Sequence, residues 1–119
     1  MVFTFSLKKN DDFRTVYKEG RSKAERFLII YVMKNGSENN RLGISVSKKV
    51  GNSVVRHHVK RLVKECYRLR ENMFINGIDI VFLARKGADK LDFYETDREV
   101  MKLMALSHAV DKEKGNLIS

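Results

Sequence analysis

The spacing of apolar and polar positions in this 119-residue chain changes several times, and each change marks a predicted element. Asn10-Asp11-Asp12 combines an N-cap candidate with acids suited to a first helical turn. Phe13, Val16 and Tyr17 follow at helical spacing, and Gly20 is placed to end the helix. Residues 21–25 read as a connection, and residues 26–33 form an apolar run of the kind found in a central strand. The polar loop over residues 34–40 carries an Asn35-Gly36 hairpin signal, which predicts that the next strand is its antiparallel neighbour. In that next strand Leu42, Ile44 and Val46 alternate with Gly43, Ser45 and Ser47. One face is therefore apolar, and the other is small and polar, with room for something to lie against it.

Gly51-Asn52-Ser53 supplies turn and cap chemistry, and from Val54 the period is helical. Val55, Val59, Leu62, Cys66, Leu69 and Met73 make the expected buried stripe. Asn76-Gly77 breaks the chain before an apolar strand over residues 79–85. Asp92 with Glu95 three positions on has the form of a capping box for a last helix. That helix carries Val100, Leu103, Met104 and Val110 on its apolar side, with Gly115 as its stop and a frayed tail from Asn116. The predicted order is helix, strand, strand, helix, strand, helix. This is an α+β arrangement, a small sheet with packed helices, in one domain over residues 1–119.

Charge adds what the hydrophobic pattern does not show. Residues 41–70 hold nine Lys or Arg (Arg41, Lys48, Lys49, Arg56, Lys60, Arg61, Lys64, Arg68, Arg70) against one acid, Glu65, a net +8 of the chain's +9. On the predicted helix Arg56, Lys60 and Lys64 form a second stripe, with His57, Arg61 and Arg68 beside it. Such a face is ordinarily just solvated. Here almost no acid offsets the repulsion along it, so an anionic partner, most simply nucleic acid, accounts for it better.

Other classes fit poorly. No run approaches the roughly 20 apolar residues of a membrane span, and the N-terminus lacks a cationic segment before an apolar one, so a cytoplasmic protein without a membrane partner is expected. Cys66, the only cysteine, falls on the apolar stripe and reads as a buried structural thiol. There is no CxxC, HExxH, Walker-type loop or GxSxG. A protein nuclease would need His57 or His58 with clustered carboxylates, and the basic stretch offers only Glu65. Adjacent His57 and His58 point about 100° apart on a helix, and no third ligand is placed by spacing, so no metal site is expected.

The stretch RLGISVSKKVGNSVVRHHVKRLVKE resembles the signature of the bacterial ribonuclease P protein subunit. The likeness runs back through LKKNDDFRTVYKEGRS and RFLIIYV and forward through DIVFLARK, over roughly residues 7–110. It implies a fold like the second domain of ribosomal protein S5, with a left-handed crossover through the basic helix where ordinary topology favours a right-handed one. It also implies a non-catalytic subunit of an endoribonuclease, without a cofactor of its own. The partners would be the catalytic RNA, which cleaves with bound magnesium, and precursor tRNA, whose 5′ leader is removed.

The family's basic motif falls on Arg56, Lys60, Arg61 and Lys64, and RNA contact extends to Lys48, Lys49, His57, His58 and Arg68. The implied leader cleft comprises Phe13, Tyr17, Tyr31, Ser45 and Ser47. By composition alone Phe13 and Tyr17 read as core residues; the resemblance moves them to the cleft, where unpaired bases stack on aromatic rings. His57-His58 departs from the family pattern, which has asparagine followed by arginine or lysine there. The alternative is a stand-alone RNA-binding module of the same fold, a ribosomal protein or RNA chaperone, which would share the basic helix without needing cleft aromatics.

Overall fold

The computed structural model describes residues 4–110. Its elements are β1 (Thr4–Ser6), α1 (Asn10–Glu19), β2 (Arg21–Ala24), β3 (Leu28–Lys34), β4 (Asn40–Val46), α2 (Ser53–Arg70), β5 (Ile78–Ala84) and α3 (Phe93–Leu106). The five strands form one mixed sheet in the order β1-β4-β5-β3-β2. β5 lies at its centre, parallel to β4 and antiparallel to β3. With a neighbour on each side and helices over both faces, its residues from Ile78 to Phe82 are all buried, which explains its near-continuous apolar run.

Two cores sit on opposite faces. On one, Leu28, Ile30, Leu42, Ile44, Ile80 and Phe82 pack with Val59, Val63, Cys66 and Tyr67 of α2 and with Val100, Leu103 and Met104 of α3. On the other, Val81, Leu7 and Val16 of α1 form a smaller cluster, with Phe13, Tyr17, Tyr31 and Met33 partly buried against it.

The capping box of α3 is present: Asp92 accepts from the Glu95 N–H at 2.8 Å, and Glu95 accepts from the Asp92 N–H at 3.1 Å. α3 ends at Leu106, so Val110 lies beyond it, and Gly115 and the tail from Asn116 fall outside the described residues. α1 is capped differently from expectation. Lys9 occupies the N-cap without a side-chain bond, and Asn10 is already helical.

The structure corrects four further expectations. β3 and β4 are not neighbours, because β5 lies between them. The loop with Asn35-Gly36 is tied across the start of β5 instead of closing a hairpin. The Asn35 N–H donates to Gly77 O, and its Nδ2 donates to Asp79 Oδ1 at 3.0 Å. Residues 21–24 are an edge strand, β2, not a connection. Thr4–Ser6 adds a second edge beside β4. The buried stripe of α2 is rotated, so that Val63 and Tyr67 enter the core while Leu69 is 46% exposed.

The crossover from β4 through α2 to β5 is left-handed. Ser47 N–H donates to Ala84 O at 3.0 Å, so the peptide groups of Ala84 face β4 while its side chain enters the core with α2. For an L-residue this places β5 to the left of β4 when the strands point up and α2 is in front, against the common rule.

Candidate nucleic-acid interface

α2 starts where Asn52 accepts the Val55 N–H at 3.0 Å, a side-chain cap that sets the helix running away from the end of β4. Its inner face is fixed by Val59, Val63, Cys66 and Tyr67. Burial pushes the Cys66 thiol up to about 12, far from a reactive thiolate, in keeping with a structural role. With that face buried, His57, His58, Lys60, Arg61, Lys64 and Arg68 are exposed and Arg56 is half-buried.

The fold sorts the nine cations of residues 41–70. Arg41 pairs with Asp79 and Asp12, Arg70 with Asp97 of α3, and Arg68 with Glu65 through bonds of 2.6 and 2.9 Å. The Arg68 hydrogen bond holds the Glu65 carboxyl below the usual range. Among the described residues, the other six, Lys48, Lys49, Arg56, Lys60, Arg61 and Lys64, have no ion pair. The Nε of Arg56 is also buried without a hydrogen-bond partner. Arg68, expected as an RNA contact, is paired locally with Glu65, whereas Lys48, Lys49, Arg56, Lys60, Arg61 and Lys64 have no such partner among the described residues.

Among the described residues β1 pairs with Asn40, Arg41 and Leu42, and past Leu42 no strand lies beside the outer edge of β4. On one face α1 packs over β3 and β5 and reaches β4 through Phe13, and on the other α2 packs against β4. Three depressions follow β4, and Ile44 lies in the lining of each. The first, about 320 Å3, is lined by Asn10, Phe13, Arg14, Tyr17 and Ser45. The second, also about 320 Å3, has Ser6, Lys8, Phe13, Lys60 and Lys64 around it. The third lies against Ser45, Ser53, Arg56, His57 and Lys60.

Of the five expected cleft residues, Phe13, Tyr17 and Ser45 meet in the first depression. Tyr31 supports it from β3, its ring edge-on to Tyr17 at 4.9 Å. Ser47 instead accepts the Lys49 N–H at 3.2 Å and starts a short 3-10 turn, Lys48–Val50, that presents Lys48 and Lys49 to solvent. The small face of β4 is less open than the alternation implied, because Gly43 is covered by the Phe13 ring. Sequence reasoning missed Ser6, Lys8, Asn10 and Arg14. Their only signal was proximity in the chain to Phe13. Among the described residues no group of three or more His, Cys, Asp or Glu could hold a metal ion, and no helix is long and apolar enough to cross a membrane.

Residues 3–107 match the family model described as Ribonuclease P. The chain is 52% identical over 98 residues to the ribonuclease P protein component of Alkaliphilus metalliredigens, covering 82% of this chain and 88% of that one. It is 48% identical over 102 residues to that of Clostridioides difficile, covering 85% and 90%. Among solved structures, the RNase P protein of Staphylococcus aureus superposes with a TM-score of 0.83 at 31% identity, covering 90% of this chain and 98% of that one. That of Thermotoga maritima superposes at 0.77 and 29%, covering 89% and 97%. With its signature stretch, its five-stranded sheet and this coverage, the chain belongs to the ribonuclease P protein family.

Proposed function

We propose that this chain, the non-catalytic protein subunit of the endoribonuclease ribonuclease P, divides its RNA contacts between two adjoining surfaces. Arg56, Lys60, Arg61 and Lys64 of α2, with His57 and His58 beside them, hold phosphates of the catalytic RNA. Phe13, Tyr17, Tyr31 and Ser45, with Ser47, Lys48 and Lys49 just past the end of β4, hold the unpaired 5′ leader of precursor tRNA. The observation that carries the reading is that Arg56, Lys60 and Lys64, without an ion pair among the described residues, line depressions adjoining the aromatic one at the edge of β4. Cations supply sequence-independent affinity for the backbone, and rings supply stacking for unpaired bases. The subunit contributes binding and orientation, and the chemistry of phosphodiester hydrolysis belongs to the RNA with its magnesium.

Counterion release makes this testable. Removing one cation that neutralises a phosphate lowers the slope of log affinity against log salt by about 0.7–0.9. Arg61→Ala and Lys60→Ala should each reduce the slope for the catalytic RNA by that amount, whereas Arg68→Ala, whose charge is already paired with Glu65, should change it little. Binding isotherms across a salt series check this. An unchanged slope in folded Arg61→Ala would remove α2 from the interface.

A further inference from the structure

The Phe13 ring stands on its edge over β4. A Cβ built on Gly43 would lie 2.6 Å from Phe13 Cζ and 2.7 Å from Cε1, so the ring tip rests on the glycine. The same ring lines two depressions, the one with Tyr17 and Ser45 and the one with Lys8, Lys60 and Lys64. It is therefore a partition between them. The second depression has an apolar floor of Leu42 and Ile44, a hydroxyl from Ser6, and three ammonium groups at its rim. No carboxylate lines it, and none of the three lysines has an ion pair among the described residues.

We propose that Phe13 separates two consecutive nucleotide subsites, and that the depression rimmed by Lys8, Lys60 and Lys64 takes the leader nucleotide adjacent to the one held beside Tyr17. This rests on the reading that the α1–β4 cleft binds the leader. Shared lining by Phe13 and Ile44 sets the two depressions side by side, so a single strand leaving the first has only the ring to pass to reach the second. A ring with a depression on either side can stack with a base in each. The base of the second nucleotide rests against Leu42 and Ile44, and its phosphate meets Lys8, while Lys60 and Lys64 on the far side of the rim remain with the catalytic RNA. Lys8 lies outside α2 and thereby becomes a positioning residue for the leader.

The test uses holoenzyme reconstituted with the RNA subunit and precursor tRNAs whose leaders grow one nucleotide at a time, with affinity measured relative to mature tRNA. Tyr17→Ala should erase the gain from one leader nucleotide. Lys8→Ala should reduce the gain from its neighbour by roughly three- to ten-fold, the net scale of one solvent-exposed hydrogen bond, and Lys8→Arg should retain it. A neutral methylphosphonate at that nucleotide should reproduce the Lys8→Ala loss without adding to it. Equal weakening of precursor and mature tRNA by Lys8→Ala would assign the depression to the catalytic RNA and overturn the proposal. So would a full set of gains in Lys8→Ala alongside a loss in Tyr17→Ala. If Tyr17→Ala and Tyr31→Ala also kept every gain, the leader cleft itself would be refuted.

Discussion

Gly43→Ala should fold normally yet strip the holoenzyme of most of its preference for precursor over mature tRNA. The added methyl would sit 2.6 Å from Phe13 Cζ and 3.2 Å from Leu7 Cδ2, well inside contact distance. The ring is the far end of a side chain on a partly open helix face, so it can swing away. The stability cost is then that of mild overpacking, about 1 kcal/mol. The functional cost is larger. With the ring displaced, stacking worth about 1–3 kcal/mol per base is lost, and precursor selectivity falls roughly five- to a hundred-fold. Affinity for both tRNAs and the thermal midpoint, measured together, check this. Intact selectivity in a destabilised protein would mean that Phe13 is a packing residue only.

Arg41→Ala should be among the most destabilising single changes. Asp79 is 2% exposed, and its carboxylate accepts from Arg41 Nε at 2.8 Å and Nη2 at 2.6 Å. Arg41 also reaches Asp12 of α1 at 3.3 Å, so one guanidinium ties the first helix to the centre of the sheet. Its removal leaves a buried carboxylate with Asn35 as its remaining side-chain donor. Breaking a buried pair costs about 3–5 kcal/mol, and the partial exposure of Arg41 places this case near the lower end. Asp79→Asn in the same chain should recover part of the loss.

The pair also sets a pH dependence. Burial pushes the Asp79 carboxyl up, but the hydrogen bonds from Arg41 and Asn35 and the charge of Arg41 outweigh it, leaving the group below its usual value. Stability from this pair is therefore complete above the ordinary carboxylate range, about pH 4. It is lost as pH falls through the lower folded value. In Arg41→Ala burial is no longer offset by the guanidinium, so the share of the acid loss that comes from Asp79 should shrink or vanish, the stability deficit being greatest at neutral pH. Denaturant unfolding from pH 7 down to 3 measures both effects.

Much of the fold was legible because local and global signals coincided. β5 is buried on both faces, and its apolar run said so. α3 carries a complete capping box, and the cationic face of α2 follows from helical geometry once its core face is known. What stayed hidden was non-local. The four residues of β2 are all exposed at an edge, so no alternation marked them. Asn35-Gly36 does make a turn, with Gly36 at a left-handed φ of 73°, but nothing local to it says that a strand forty residues later will enter between β3 and β4. The register of α2 was ambiguous because Leu62, Val63, Tyr67 and Leu69 leave apolar side chains on several faces.

The site was legible in kind but not in detail. The charge count located the basic helix, but it could not show that Arg41, Arg68 and Arg70 would be consumed in ion pairs while Lys8 joined Lys60 and Lys64 around one depression. Those groupings depend on which acids the fold brings near, and Asp79 and Asp97 come from distant elements. Likewise Gly43 and Phe13 are thirty positions apart, and only packing shows that the absent side chain of one makes room for the ring of the other.

That this subunit binds RNA and does not cut it is tested most directly by cleavage of a precursor tRNA under limiting magnesium. The assay compares the protein alone, the RNA subunit alone, and the two together. The expected result is no cleavage by the protein alone and efficient removal of the 5′ leader by the pair. Leader removal by the protein without RNA would contradict it.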